Sequence, residues 1–156
     1  MLVLVNFSLL VDVPCGLEGY RMTINASLPA GERAKEGNLK IDFISDVNGE
    51  RELFWAQVKP SAKAENYLSF EAGVYPYYDR LRSSAPKNTH TDLIFDRSKP
   101  FAFVFEYSKD HTLFVTFTGT DKVFNFNQSS AHQLSDTRLF ELKGIAEVYG
   151  YRYEKI

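Results

Sequence analysis

The stretch 52–60, ELFWAQVKP, holds the residues best placed to do chemistry. Successive side chains of an extended chain alternate between faces, so burial of Phe54, Ala56 and Val58 would put Trp55, Gln57 and Lys59 together on the opposite face. An aromatic plate beside an amide and an ammonium suits a sugar. The ring packs against the C–H side of a pyranose while the amide and cation bond its hydroxyls, and a rigid sheet orients all three. The same residues admit a bland reading, in which Trp55 only covers the sheet, or a register slip of one residue makes it core.

Other chemistries find less support. The sequence has no G-x-S-x-G elbow, no P-loop, no G-x-G-x-x-G and no H-E-x-x-H. His90, His111 and His132 lie far apart beside turn residues and read as isolated surface imidazoles, with no metal and no cofactor expected. Glu71 and Asp79 could be paired as glycosidase carboxylates, but so could any two of the 20 acidic residues. Cys15 is the only cysteine, which excludes an intrachain disulfide and reads as a structural thiol in a reducing compartment. A net charge of −2 and a pI near 5.9 supply no broad basic field for nucleic acid or an anionic membrane surface.

The elements that must position Trp55 read as strands. Phe101, Phe103, Phe105 and Tyr107 alternate on one face, Leu113, Val115 and Phe117 do the same after the polar break SKDH, and the pattern predicts a hairpin with one buried face. Similar segments recur about every ten residues: LVLVNFSLL, YRMTINASL, NLKIDFIS, ELFWAQVK, NYLSFEAG, DLIF, KVFNFNQ, LFELKG and IAEVYGYRYE. Turn signals such as VNGE, PAGERAKEGN and GTDK separate them, which is the spacing of an all-β, two-sheet antiparallel sandwich. SSAHQLSDTRLFEL is expected to hold a loop and then a strand, and 80–92, RLRSSAPKNTHTD, a long loop beside a site. At 156 residues the chain fits one domain, 1–156. The apolar start lacks a basic n-region and is broken by Asn6 and Asp12, so a strand is expected there in place of a signal peptide. No run reaches the ~18 apolar residues of a membrane helix, and no membrane insertion is expected.

Taken together, these segments resemble the galectin family. VPCGLEGYRMTINASLPAG is similar to the family's first strands, NLKIDFIS to its third, and LIFDRSKPFAFVFEYSKDHTLFVTFTG to its P-F-x-x-G-x-P-F strand, turn and strand, with Leu93, Phe95, Pro100 and Phe101 in the matching places. LFELKGIAEVYGY is similar to the closing I-x-G-x-I-x-L segment, with Gly144 at the glycine. The resemblance implies a jelly-roll sandwich, no enzymatic activity, and a β-galactoside site built from H-x-N-x-R, an Asn on the next strand, and W-x-x-E-x-R on the one after. In this sequence those sets correspond to Trp55, Gln57 and Lys59, then Glu71, then Tyr75, Tyr78 and Arg80, with only the Arg retained. Lys in place of Arg loses the planar fork that binds bidentately, and each lost hydrogen bond costs about 1 to 3 kcal/mol, so ordinary galactose recognition is not expected. Trp55, Tyr75, Tyr77 and Tyr78 form an aromatic set for another glycan or a glycoprotein.

Three readings of function follow. The first is a galectin-like lectin of altered specificity. The second is a galectin-fold interaction module that has lost sugar binding and uses its surface or terminal strands, MLVLVNF and VYGYRYEKI, for protein contacts or a homodimer. The third is a hydrolase on a concanavalin-like sandwich, which needs two carboxylates about 5 to 9.5 Å apart. The expected location is cytoplasmic, with export without a signal peptide left open.

Overall fold

The computed structural model describes residues 7–13, 16–29, 35–45, 51–75, 87–97, 99–118 and 122–156. Its strands are β1 (Phe7–Asp12), β2 (Tyr20–Ser27), β3 (Asn38–Ser45), β4 (Arg51–Pro60), β5 (Tyr67–Val74), β6 (Lys87–Phe95), β7 (Phe101–Tyr107), β8 (Leu113–Phe117), β9 (Val123–Phe126), β10 (Leu139–Ile145) and β11 (Glu147–Lys155). They form two sheets, in the orders β1-β10-β3-β4-β5-β6 and β11-β2-β7-β8-β9. Every pairing is antiparallel. This is the two-sheet sandwich that the strand rhythm predicts.

Alternation decides which face each strand buries. On β7 and β8, Phe101, Phe103, Phe105, Tyr107, Leu113, Val115 and Phe117 are all buried, as the hairpin reading requires. Facing them from the six-stranded sheet are Phe43, Phe54, Phe70 and Phe140, each fully enclosed. Phe43 touches Phe54, Phe105 and Phe140 at centroid separations of 4.9, 5.4 and 4.9 Å, and Phe70 meets Phe103, Phe117 and Phe124 at 5.5, 5.3 and 5.2 Å. These rings join the sheets into one apolar layer, and burying each side chain contributes about 1.5 to 3 kcal/mol.

Two loop expectations are corrected. β6 begins at Lys87, so the second half of the presumed 80–92 loop is strand, its Thr89, Thr91 and Leu93 outward against Ser69 and Glu71 of β5. Alternating threonines with charges and a histidine disguised it as loop. The segment after β9 is not a plain loop either: a helical turn, α1 (Gln128–Ala131), runs into a 3₁₀ turn (His132–Asp136) before β10. Asn127 caps α1, its side chain accepting from the Ser130 amide, and the Tyr107 hydroxyl donates to the Ala131 carbonyl at 2.7 Å. The turn is thereby fastened to the five-stranded sheet. Among the described residues no helix is long and apolar enough to cross a membrane.

Candidate functional site

The register of β4 follows from its own sequence. Phe54, Ala56 and Val58 are fully buried, Trp55 and Gln57 are half-buried, and Lys59 is exposed. Trp55 therefore stands on the outer face of the six-stranded sheet. Cross-strand pairing then extends this face sideways: Gln57 lies between Lys40 of β3 and Glu71 of β5, and Thr91 of β6 lies beyond Glu71. Trp55 lies between Asp42 of β3 and Gly73 of β5, where the glycine sets no side chain beside the ring. Lys59 is opposite Ser69.

Of the residues read from sequence, Trp55, Gln57, Lys59 and Glu71 share this face, the first three on β4 and Glu71 alongside Gln57. Tyr75 follows the end of β5, its amide bonded to the Leu53 carbonyl at 3.0 Å and its own carbonyl accepting from the Gln133 side chain. Tyr78 and Arg80, with Tyr77, lie outside the described residues, as does Cys15. The strand that follows β5 is Lys87–Phe95, and Thr89, Thr91 and Leu93 are the residues it sets on the outer face. The three histidines differ from one another. His90 points inward, its ring 5.4 Å from Phe124 and 5.0 Å from Phe126, which corrects its reading as a surface imidazole. His111 sits at the β7–β8 turn 3.6 Å from Glu18, and the exposed His132 lies 3.2 Å from the Gln128 carbonyl.

The residues that motif reading missed are the neighbours on β3 and β10. Asp42 is 0% exposed although it lies on the outer face. Its two carboxylate oxygens face Lys40 at 3.5 Å and Lys143 at 3.3 Å, ion-pair distances at or beyond the long edge of hydrogen bonding, and neither oxygen makes a hydrogen bond. Lys143 also meets Glu141 at 3.0 Å, while the Lys40 ammonium stands 6.0 Å from the centre of the Trp55 ring, at the limit of a cation–π contact. Burial raises the Asp42 carboxyl above the ordinary aspartate range; Lys40 opposes that rise, Glu52 adds to it and Lys143 opposes it. The signal for this cluster was in NLKIDFIS, where Lys40 and Asp42 alternate with Leu39, Ile41 and Phe43. What sequence could not show was that β10 would be the next strand.

The face thus offers an aromatic plate, an amide, paired ammonium and carboxylate groups, and a row of hydroxyls. Alternating donors and acceptors on a rigid sheet match the hydroxyls of a carbohydrate better than a uniformly charged ligand.

No family model and no curated protein matches the sequence. The fold has close counterparts. A congerin II single mutant superposes with a TM-score of 0.61 at 12% identity, over 96% of this chain and 99% of the congerin. A human galectin-16 double mutant gives 0.59 at 10% identity, over 99% of each chain. An alginate lyase of polysaccharide lyase family 7, A1-II′, gives 0.61 at 10% identity, over 92% of this chain but 65% of the lyase. The chain has a galectin-like β-sandwich fold. At these identities the likeness is one of architecture, and it is shared by congerin, a galectin and an alginate lyase alike.

Proposed function

We propose that this protein is a non-catalytic glycan-binding module with the galectin-like fold, reading a sugar other than a simple β-galactoside on the outer face of its six-stranded sheet. The observation that carries the reading is Trp55, half-exposed at the middle of that face and in register with Gln57, Lys59 and Glu71. Tyr75 at the end of β5 extends the site, with Tyr78 and Arg80 assigned to it from sequence alone. The substituted set keeps amide and cation but lacks the imidazole and the planar fork, so recognition rests on stacking more than on bidentate hydrogen bonds.

The lyase likeness makes an enzyme the natural competitor. Acid–base chemistry needs a titratable group that reaches the substrate. On the described part of this face Asp42, the carboxyl whose proton affinity is clearly raised, is sealed from solvent, His90 is turned inward, and Glu71 has Gln57 and Thr91, not a second carboxylate, as its cross-strand neighbours. Binding without turnover is the simpler use of these residues.

A self-associating form is proposed as well, because β1 and β11 are edge strands of the two sheets and carry the exposed side chains Leu10 and Tyr149. The primary test is a glycan-array screen of the purified protein with lactose as competitor. Signal that ignores lactose supports the altered-specificity reading; signal competed by lactose shows ordinary galactose recognition instead. An array without signal overturns glycan binding and moves the assignment to a protein-interaction module.

A further inference from the structure

Asp42 is an expensive residue at its position. A carboxylate at 0% exposure with no hydrogen bond to either oxygen carries an uncompensated desolvation penalty unless its charge is used. Its neighbours say what it holds. Lys40 and Lys143 converge on it from its own strand and from β10, and the Lys40 ammonium stands 6.0 Å from the ring of Trp55, the only tryptophan in the chain. A lysine side chain on an open sheet ranges over many rotamers, and a sugar that needs its ammonium must first freeze it.

We propose that Asp42 is the positioning residue of the glycan face, anchoring the Lys40 ammonium against Trp55 so that plate and cation meet the sugar as one preorganised unit. The inference rests on the glycan reading above and deepens it: the site extends from β4 and β5 onto β3 and β10, and its ligand is a saccharide that presents a C–H face to Trp55 and a hydroxyl to Lys40. The charged groups around Asp42 are Lys40 on β3, Glu52 on β4, and Lys143 with its partner Glu141 on β10; the 3₁₀ turn that also packs on β3 carries His132 and Asp136. β1, on the far side of β10, contributes Ser8, Leu10 and the exposed carboxylate of Asp12 to the same face, Asp12 opposite Leu139. A proton on Asp42 removes the counter-charge that faces Lys40, while Lys143 keeps Glu141, so Lys40 leaves the ring as the medium turns acidic.

Trp55 reports this directly, since it alone supplies the tryptophan emission. The full chain is titrated from pH 8 to pH 4 by tryptophan fluorescence, with far-UV circular dichroism confirming that it stays folded. The expected result is an emission step in the wild type that Asp42→Asn and Lys40→Met both abolish and Lys40→Arg retains. A step that persists in Lys40→Met, or a wild type without one, overturns the positioning role, and Lys40→Met keeps the test decisive where Asp42→Asn does not fold. On the glycan array at pH 7, Asp42→Asn is expected to lose signal at least tenfold while Lys40→Arg retains most of it. Unchanged array binding by Asp42→Asn overturns the proposal even if the fluorescence step is found. An array empty for the wild type sinks the glycan reading itself and with it the sugar, while the fluorescence titration still decides whether Asp42 holds Lys40.

Discussion

Trp55 and Phe54 are sequence neighbours with opposite fates, and the contrast separates binding from stability. Phe54 is fully buried against Phe43 and Phe126, so Phe54→Ala should cost about 3 to 5 kcal/mol in a urea melt. Trp55→Ala should cost well under half as much and abolish glycan binding on the array. A core-sized loss at Trp55 would contradict its place on the outer face. Asp42 gives a prediction in pH. Its folded carboxyl holds its proton more tightly than it does in the unfolded chain, so its contribution to stability is full below the unfolded aspartate value of about 3.9 and is lost as pH rises through the raised folded value. The stability difference between Asp42→Asn and the wild type should therefore move in favour of the variant between pH 4 and pH 7, as urea melts at each pH will show. A difference that stays flat across that range would mean that Asp42 titrates like an exposed aspartate.

Strand pairing makes its own demands on single residues. Gly144 of β10 has φ +136°, and a Cβ there would run into the side chain and carbonyl of Asn38 on β3. Gly144→Ala should lose at least about 1 to 3 kcal/mol through backbone strain, read as a lower thermal midpoint. Because β10 also supplies Lys143 and Glu141, the same change is expected to weaken glycan binding through the displaced strand. Tyr107 ties α1 to β7 through its hydroxyl, and burial raises its pKa beyond the usual tyrosine range. Tyr107→Phe should cost about 1 to 2 kcal/mol by leaving the buried Ala131 carbonyl one donor short. β7 and β8 were legible because the large rings of Phe101, Phe103, Phe105 and Tyr107 recur at every second position and all are buried. Of β6 only its end, DLIF, was legible as strand; Lys87–Thr91 was not, because an edge strand buries little and its threonines and His90 resemble loop composition. The turn at Gln128–Ala131 is too short to show a helical period, and only its contact with Tyr107 gives it a place.

β1 and β11 are edge strands of the two sheets among the described residues, and the proposed self-association is tested there. Leu10 on β1 is 56% exposed and Tyr149 on β11 is 43% exposed. Sedimentation at rising concentration is expected to show a dimer, and Leu10→Lys to shift it toward monomer by placing a charge beside the β1 edge. A monomer at every concentration would remove self-association from the function. Across the core the aromatic layer keeps the two sheets in one rigid frame, so the outer face presents its residues at fixed spacing. Under the proposed function that rigidity offsets the small number of polar contacts, since little conformational entropy remains to be lost on binding.

The sequence alone determined that the chain is all-β, where most strands run, and that Phe54 and Trp55 face opposite ways, because period-two alternation is a local property of the backbone. It also placed Trp55, Gln57 and Lys59 on one face, since they belong to one strand. Only the tertiary structure decided that β3 and β10 lie beside them, that Asp42 is sealed between two lysines, and that His90 turns into the core. Those facts depend on which strands become neighbours, and strand order is set by the packing of the whole aromatic layer, which no single segment encodes.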